Sequence, residues 1–166
     1  MKLNFVDLDK QYKMIKEDIM ASVSDVLDST KFIFGPQIKE LETTLADYVG
    51  VKYAISCASG TDALILALAS YDVGPGDEII IPDPYFVIYP SLARIAEGKA
   101  VLCDTYPDFR MTAERIEKCI TTRTKAVLIN SPANPTGVVL TAEEVAEIAI
   151  LCQDRGILLI TDEIYD

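Results

Sequence analysis

The chain has 166 residues, half of them hydrophobic, with a net charge of −11 and no histidine. That length suits one domain with a sizeable core. The acidic balance argues against a nucleic-acid face, and the absence of histidine and of any Cys-x-x-Cys pair argues against a zinc site.

Two helical patterns come first, about Gln11–Leu27 and Pro36–Val49, joined by Asp28–Gly35. Residues 1–50 therefore read as an N-terminal helical segment. The start, Met1 to Asp7, is charged too early for a secretory signal. No stretch approaches the ~18 consecutive apolar residues of a membrane helix. A cytoplasmic protein without a membrane partner is expected.

From residue 51 onward, short apolar runs alternate with helical patterns. Strands are predicted at Tyr53–Cys57, Glu78–Pro82, Ala100–Asp104, Lys125–Asn130 and Ile157–Thr161. Several are apolar at consecutive positions, as in parallel strands covered on both faces. Helices are predicted at Thr61–Tyr71, Val87–Glu97, Thr112–Ile120 and Thr141–Arg155. The last opens with Thr141-Ala142-Glu143-Glu144, the spacing of a reciprocal cap. Repeated β-α-β units imply an α/β fold, a three-layer sandwich with a mostly parallel sheet. Cys57 and Cys103 fall in strand-like runs and are expected to be buried, reduced thiols.

In such sheets ligands gather at the carboxyl ends of the strands, and chemistry-bearing residues follow four of the five predicted strands. After the first stands Cys57-Ala58-Ser59-Gly60-Thr61-Asp62. A glycine that lets a ligand approach, followed by a helix start with free N–H groups, suits a phosphate. An ordinary helix cap reads equally from these residues. The Asp62 carboxylate would repel a phosphate, so only its N–H could help.

After the second strand comes Pro82-Asp83-Pro84-Tyr85-Phe86-Val87-Ile88-Tyr89-Pro90. Phe86 offers a face for a planar ring or fills the core; Tyr85 and Tyr89 are weaker candidates. After the fourth comes Asn130-Ser131-Pro132-Ala133-Asn134-Pro135-Thr136-Gly137, where Pro135 biases Asn134 toward an extended backbone and helps fix its amide. After the fifth comes Thr161-Asp162-Glu163-Ile164-Tyr165-Asp166. An acid at a strand tip is often only a helix cap, and Glu163 and Asp166 read as surface charges.

Ser59-Gly60-Thr61-x-Ala63-Leu64, then Gly76-Asp77-Glu78-Ile79-Ile80-Ile81-Pro82, with Phe34-Gly35-Pro36 and Glu40-Leu41-Glu42 upstream, resembles the pyridoxal-5′-phosphate (PLP) dependent aminotransferases of nucleotide-linked keto-sugars, the DegT type. That resemblance covers residues 3–82. Residues 83–166 are similar instead to the aspartate-type aminotransferases. Pro-x-Pro-Tyr-Phe-x-x-Tyr-Pro, Asn-Pro-Thr-Gly and, about 28 residues after Asn134, Asp-Glu-x-Tyr carry it. Both groups belong to the aspartate aminotransferase superfamily, fold type I. The change of style near residues 76–83 suggests a composite of two sources, or a divergent natural member.

The resemblance implies roles. Gly60, Thr61 and Asp62 would bind the PLP phosphate, and Phe86 would stack on the ring. Asn134 and Tyr165 would donate to the phenolate oxygen, and Asp162 would keep the ring nitrogen protonated. Substrates would be an amino acid and a keto acid or keto-sugar, in a homodimer with shared sites. The family's covalent lysine, in a Ser-x-x-Lys stretch beyond Asp-x-x-Tyr, is not matched by any lysine here, so the chain is expected to be inactive alone. Of seven family strands five are expected, an incomplete PLP-binding large domain over 51–166. Two absent strands would leave a gap of roughly 14 Å between Tyr53–Cys57 and Lys125–Asn130, filled by another chain or closed by re-pairing. A noncatalytic module holding another phosphorylated ligand, and a piece without its own function, are the alternatives.

Overall fold

Three successive isoleucines, Ile79, Ile80 and Ile81, are each no more than 2 % exposed. Side chains of a strand alternate between faces, so three in a row stay buried only if both faces of the sheet are covered. The computed structural model describes residues 6–165 and shows this arrangement. Strands β1 (Glu78–Asp83), β2 (Lys99–Asp104), β3 (Thr124–Asn130) and β4 (Leu158–Asp162) form one sheet in the order β2-β1-β3-β4. Every pairing in it is parallel.

Helices lie on both faces. Ile79, Ile81, Ala126, Leu128 and Ile160 pack with Leu68 of α3 (Gly60–Ser70) and with Tyr89, Leu92 and Ala93 of α4 (Tyr89–Ile95). Ile80, Val127, Ile129 and Cys103 pack on the other face with Ile116 of α5 (Ala113–Glu117) and with Ile148 and Cys152 of α6 (Ala142–Arg155). Burying one such aliphatic side chain contributes about 1.5–3 kcal/mol. The fold is the α/β, three-layer, parallel-sheet architecture expected.

Local chemistry sets the helix ends. Thr141 Oγ1 accepts from the Glu144 N–H at 3.2 Å, and Glu144 Oε2 accepts from the Thr141 N–H at 2.7 Å, completing the reciprocal cap. Helix α4 is shorter than the expected Val87–Glu97, with Pro90 in its first turn, where a missing N–H costs nothing. Helix α5 is likewise shorter than expected, starting after its cap Thr112.

The sheet has four strands, not five. Tyr53–Cys57 carries no sheet hydrogen bonds and is largely exposed. A strand exists only against a partner edge, and no edge of the four-stranded sheet pairs with these residues. The Ser56 N–H and hydroxyl donate instead to Glu42 Oε1, at 2.9 and 2.8 Å. Cys57 is correspondingly exposed, contrary to expectation, while Cys103 is buried. The expected gap beside Lys125–Asn130 is also corrected: β3 is internal, between β1 and β4, and the sheet edges are β2 and β4.

The chain divides into two compact units, residues 1–56 and residues 57–166. The first holds α1 (Leu8–Ser29), capped by the Asp7 carboxylate, and α2 (Pro36–Val49), opened by Pro36 and closed by Gly50 at φ 75°. Residues 3–5 of the resemblance, and Asp166, lie outside the described residues.

Candidate functional site

The carboxyl ends of β1, β3 and β4 all point the same way because the strands are parallel. The residues that follow them converge on one cavity of about 60 Å³, lined by Phe86, Tyr89, Asn130, Asn134, Asp162, Ile164 and Tyr165. Four residues singled out from sequence, Phe86, Asn134, Asp162 and Tyr165, are therefore brought together. Small-molecule pockets run to roughly 300 Å³ or more, so this cavity is small beside them.

Phe86 leads into α4 and sits edge-on to Tyr89, with ring centroids 5.7 Å apart and planes at 78°. It is 36 % exposed, leaving ring surface uncovered. Tyr89 is 1 % exposed, and its hydroxyl donates to Asp162 Oδ2 at 2.7 Å. Burial first, and the Asp162 carboxylate second, push the Tyr89 ionisation far above the ordinary tyrosine value, so the hydroxyl remains a donor.

Asn134 sits on a loop that needs a glycine. Gly137 adopts φ 74°, a conformation other residues rarely take. Its N–H donates to the Ala133 carbonyl at 2.7 Å, and the Ala133 N–H donates to the Val138 carbonyl at 2.9 Å. The Asn134 N–H donates to Asn130 Oδ1 at 2.6 Å. The Asn134 side-chain amide has no hydrogen-bond partner among the described residues, so it is available to a ligand. Tyr165 lies in the turn after β4 and is 60 % exposed. Glu163 is exposed, as a surface charge should be.

Gly60, Thr61 and Asp62 form the first turn of α3 and are not among the residues lining this cavity. Ser59 caps the helix: its Oγ accepts from the Asp62 N–H at 3.2 Å and donates to Asp62 Oδ2 at 3.0 Å. The one contribution expected of Asp62, its N–H, is thus already engaged. The N–H groups of Gly60 and Thr61 have no acceptor among the described residues and remain open to an anion.

Two members of the cavity were underweighted from sequence. Tyr89 reads as weaker than Phe86 in the sequence, yet a turn closed by the Tyr89 N–H on the Phe86 carbonyl at 3.1 Å brings the two rings together. Asn130 went unremarked as a site residue, although it ends β3 directly opposite Asp162 of β4.

The cavity thus brings together an aromatic face, a carboxylate held by one oxygen, a side-chain amide and a phenol, while the helix start of α3 lies outside its lining. No group of histidine, cysteine, aspartate and glutamate side chains that could hold a metal occurs among the described residues. No helix among them is long and apolar enough to cross a membrane.

Residues 4–166 match the family described as aminotransferase class I and II. A UDP-2-acetamido-2-deoxy-3-oxo-D-glucuronate aminotransferase of Pseudomonas aeruginosa is 41 % identical over 127 residues, 76 % of this chain and 35 % of that protein. An aspartate aminotransferase of Geobacillus stearothermophilus is 46 % identical over 93 residues, 55 % of this chain and 24 % of its own length. The solved aspartate aminotransferase from Thermus thermophilus with maleate superposes with a TM-score of 0.77 at 34 % identity, over 90 % of this chain and 42 % of its own. The chain thus spans less than half the length of each of these proteins, and relatives of both the keto-sugar and the aspartate kind are found.

Proposed function

The chain belongs to the class I and II aminotransferases, and from that premise we propose that it forms the cofactor-binding wall of a PLP-dependent enzyme. Its reaction would move an amino group from an amino acid to a keto acid or keto-sugar. What supports this reading above all is the single cavity where Phe86, Asn134, Asp162 and Tyr165 meet from three strand ends.

Bound PLP supplies an electron-withdrawing ring that carries the amino group. Phe86 would give that ring an apolar face. Asp162 would hold a proton at the ring nitrogen, and the Tyr89 hydroxyl, bonded to Oδ2, orients the carboxylate. Asn134 and Tyr165 would donate to the phenolate oxygen. The Gly60 and Thr61 N–H groups would receive the phosphate at the start of α3, where Asp62 is cap partner to Ser59. Such an enzyme would work as a homodimer in the cytoplasm, a setting compatible with four free thiols. Since none of its lysines stands in the family's Ser-x-x-Lys pattern, the 166 residues alone would bind PLP reversibly and not catalyse.

Titration with PLP, followed by absorbance and desalting, tests this. Weak, reversible binding is expected, weakened about tenfold or more in Asp162→Ala and in Asn134→Ala. Binding that survives desalting would contradict the missing covalent anchor. Binding that ignores both substitutions would favour a different phosphorylated ligand, and no binding at all a piece without its own function.

A further inference from the structure

Asn130 is the last residue of β3, in register with Asp162 of β4, and its surface is 7 % exposed. Both ends of its side-chain amide are used. Oδ1 accepts from the Asn134 N–H at 2.6 Å, and Nδ2 donates to the Asp162 carbonyl at 2.8 Å. The partners fix which end is which, because one presents an N–H and the other a carbonyl. The same Asp162 carbonyl also accepts from the Ser131 N–H, at 3.3 Å.

The loop it serves is short of donors. Pro132 and Pro135 flank Asn134 and have no N–H. Of the two N–H groups between them, Ala133 donates across the loop to Val138, and Asn134 donates to Asn130. Only a residue carrying a donor and an acceptor on one short, planar side chain can hold both arms. Aspartate lacks the donor, alanine lacks both, and glutamine is one methylene too long. Asn130 and Asn134 also line a second small cavity, with Pro82, Phe109 and Met111.

We infer that Asn130 is a positioning residue. It sets the backbone of Asn134 against that of Asp162, so that an amide on the loop after β3 and a carboxylate at the end of β4 reach one ligand in fixed relation. The functional half of this inference rests on the cofactor reading above; the positioning half does not.

Hydrogen exchange on the ligand-free chain and PLP titration separate the two. Asn130→Ala should speed exchange of the Asn134 amide about tenfold or more, the loss of one buried hydrogen bond. Asn130→Asp keeps the acceptor and should retain protection at Asn134, whereas Asn130→Leu, close in size and without either polar group, gives the same test as alanine if the alanine variant folds poorly. Asn130→Ala should also weaken PLP binding about tenfold. Combined with Asn134→Ala, the loss should fall short of the product of the two single losses, because one acts through the other. Unchanged exchange at Asn134 in the alanine variant, or single losses that simply multiply, would overturn the inference. A wild-type chain that binds no PLP would sink the cofactor reading, and the exchange result would then decide Asn130 by itself.

Discussion

The Tyr89 hydroxyl donates to Asp162 Oδ2 across 2.7 Å, joining residues 73 positions apart. One belongs to the helix after β1, the other to the tip of β4, and β3 lies between those strands. The bond spans the sheet at the carboxyl ends of its strands, and it sets one oxygen of the carboxylate.

Tyr89 makes stability depend on alkaline pH. Its ionisation is raised in the folded chain by burial and by Asp162, so the unfolded chain loses this proton first. The contribution is whole below the ordinary tyrosine value near 10 and falls away as pH climbs above it. Tyr89→Phe removes this dependence. Melting temperatures from pH 8 to pH 11 should show a shallower alkaline decline in the variant than in the wild type; equal slopes would refute the assignment.

Glu144 does the opposite in acid. The Arg110 guanidinium, bonded to both carboxylate oxygens, holds its ionisation below the ordinary carboxylate value, and the Thr141 N–H assists. Its contribution is present above about pH 4.5 and is lost as pH falls through the lower folded value. Glu144→Gln should reduce stability at pH 7 and flatten the acid unfolding curve. An acid transition as steep as the wild type's would show that this pair does not govern it.

Gly98 precedes β2 where nothing larger fits. A Cβ there would lie 2.7 Å from Ile79 Cδ1 and 3.2 Å from the Asp77 carbonyl. Ile79 is 2 % exposed and has little room to withdraw. Gly98→Ala should therefore destabilise the chain by about 1–3 kcal/mol, read as a lower denaturant midpoint at unchanged slope. A midpoint at the wild-type value would mean that the core yields more easily than its packing implies.

The thiols should separate by reactivity. Cys57 is exposed, whereas Cys103 and Cys152 are buried. Burial raises the ionisation of both buried thiols, with Cys103 pushed up to about 12. Since the thiolate is the nucleophile, iodoacetamide at pH 8 should modify Cys57 and spare the other two until the chain unfolds. Peptide mapping that finds Cys103 labelled as early as Cys57 would count against this core.

The hydrophobic runs and their punctuation sufficed for all four observed strands to within a residue or two, and for the cap at Thr141, because those features are local. That Phe86, Asn134, Asp162 and Tyr165 share one cavity was legible because they stand at or just beyond strand ends, and parallel strands end on one side. The fifth strand was misread for a physical reason. Tyr53–Cys57 has a strand's composition, but composition cannot supply the neighbouring edge whose N–H and carbonyl groups a strand requires.

What the 166 residues determined by themselves was the alternation of buried strands and helices, and the set of side chains at the strand tips. Only the tertiary structure decided how those tips are wired. That Tyr89 bonds Asp162, and that Asn130 ties the loop of Asn134 to the tip of β4 at Asp162, both depend on register and packing between distant segments. Hydrogen bonds act over about 3 Å and within narrow angles, so a strand shifted by one residue would keep the same composition and lose every one of the contacts between strands.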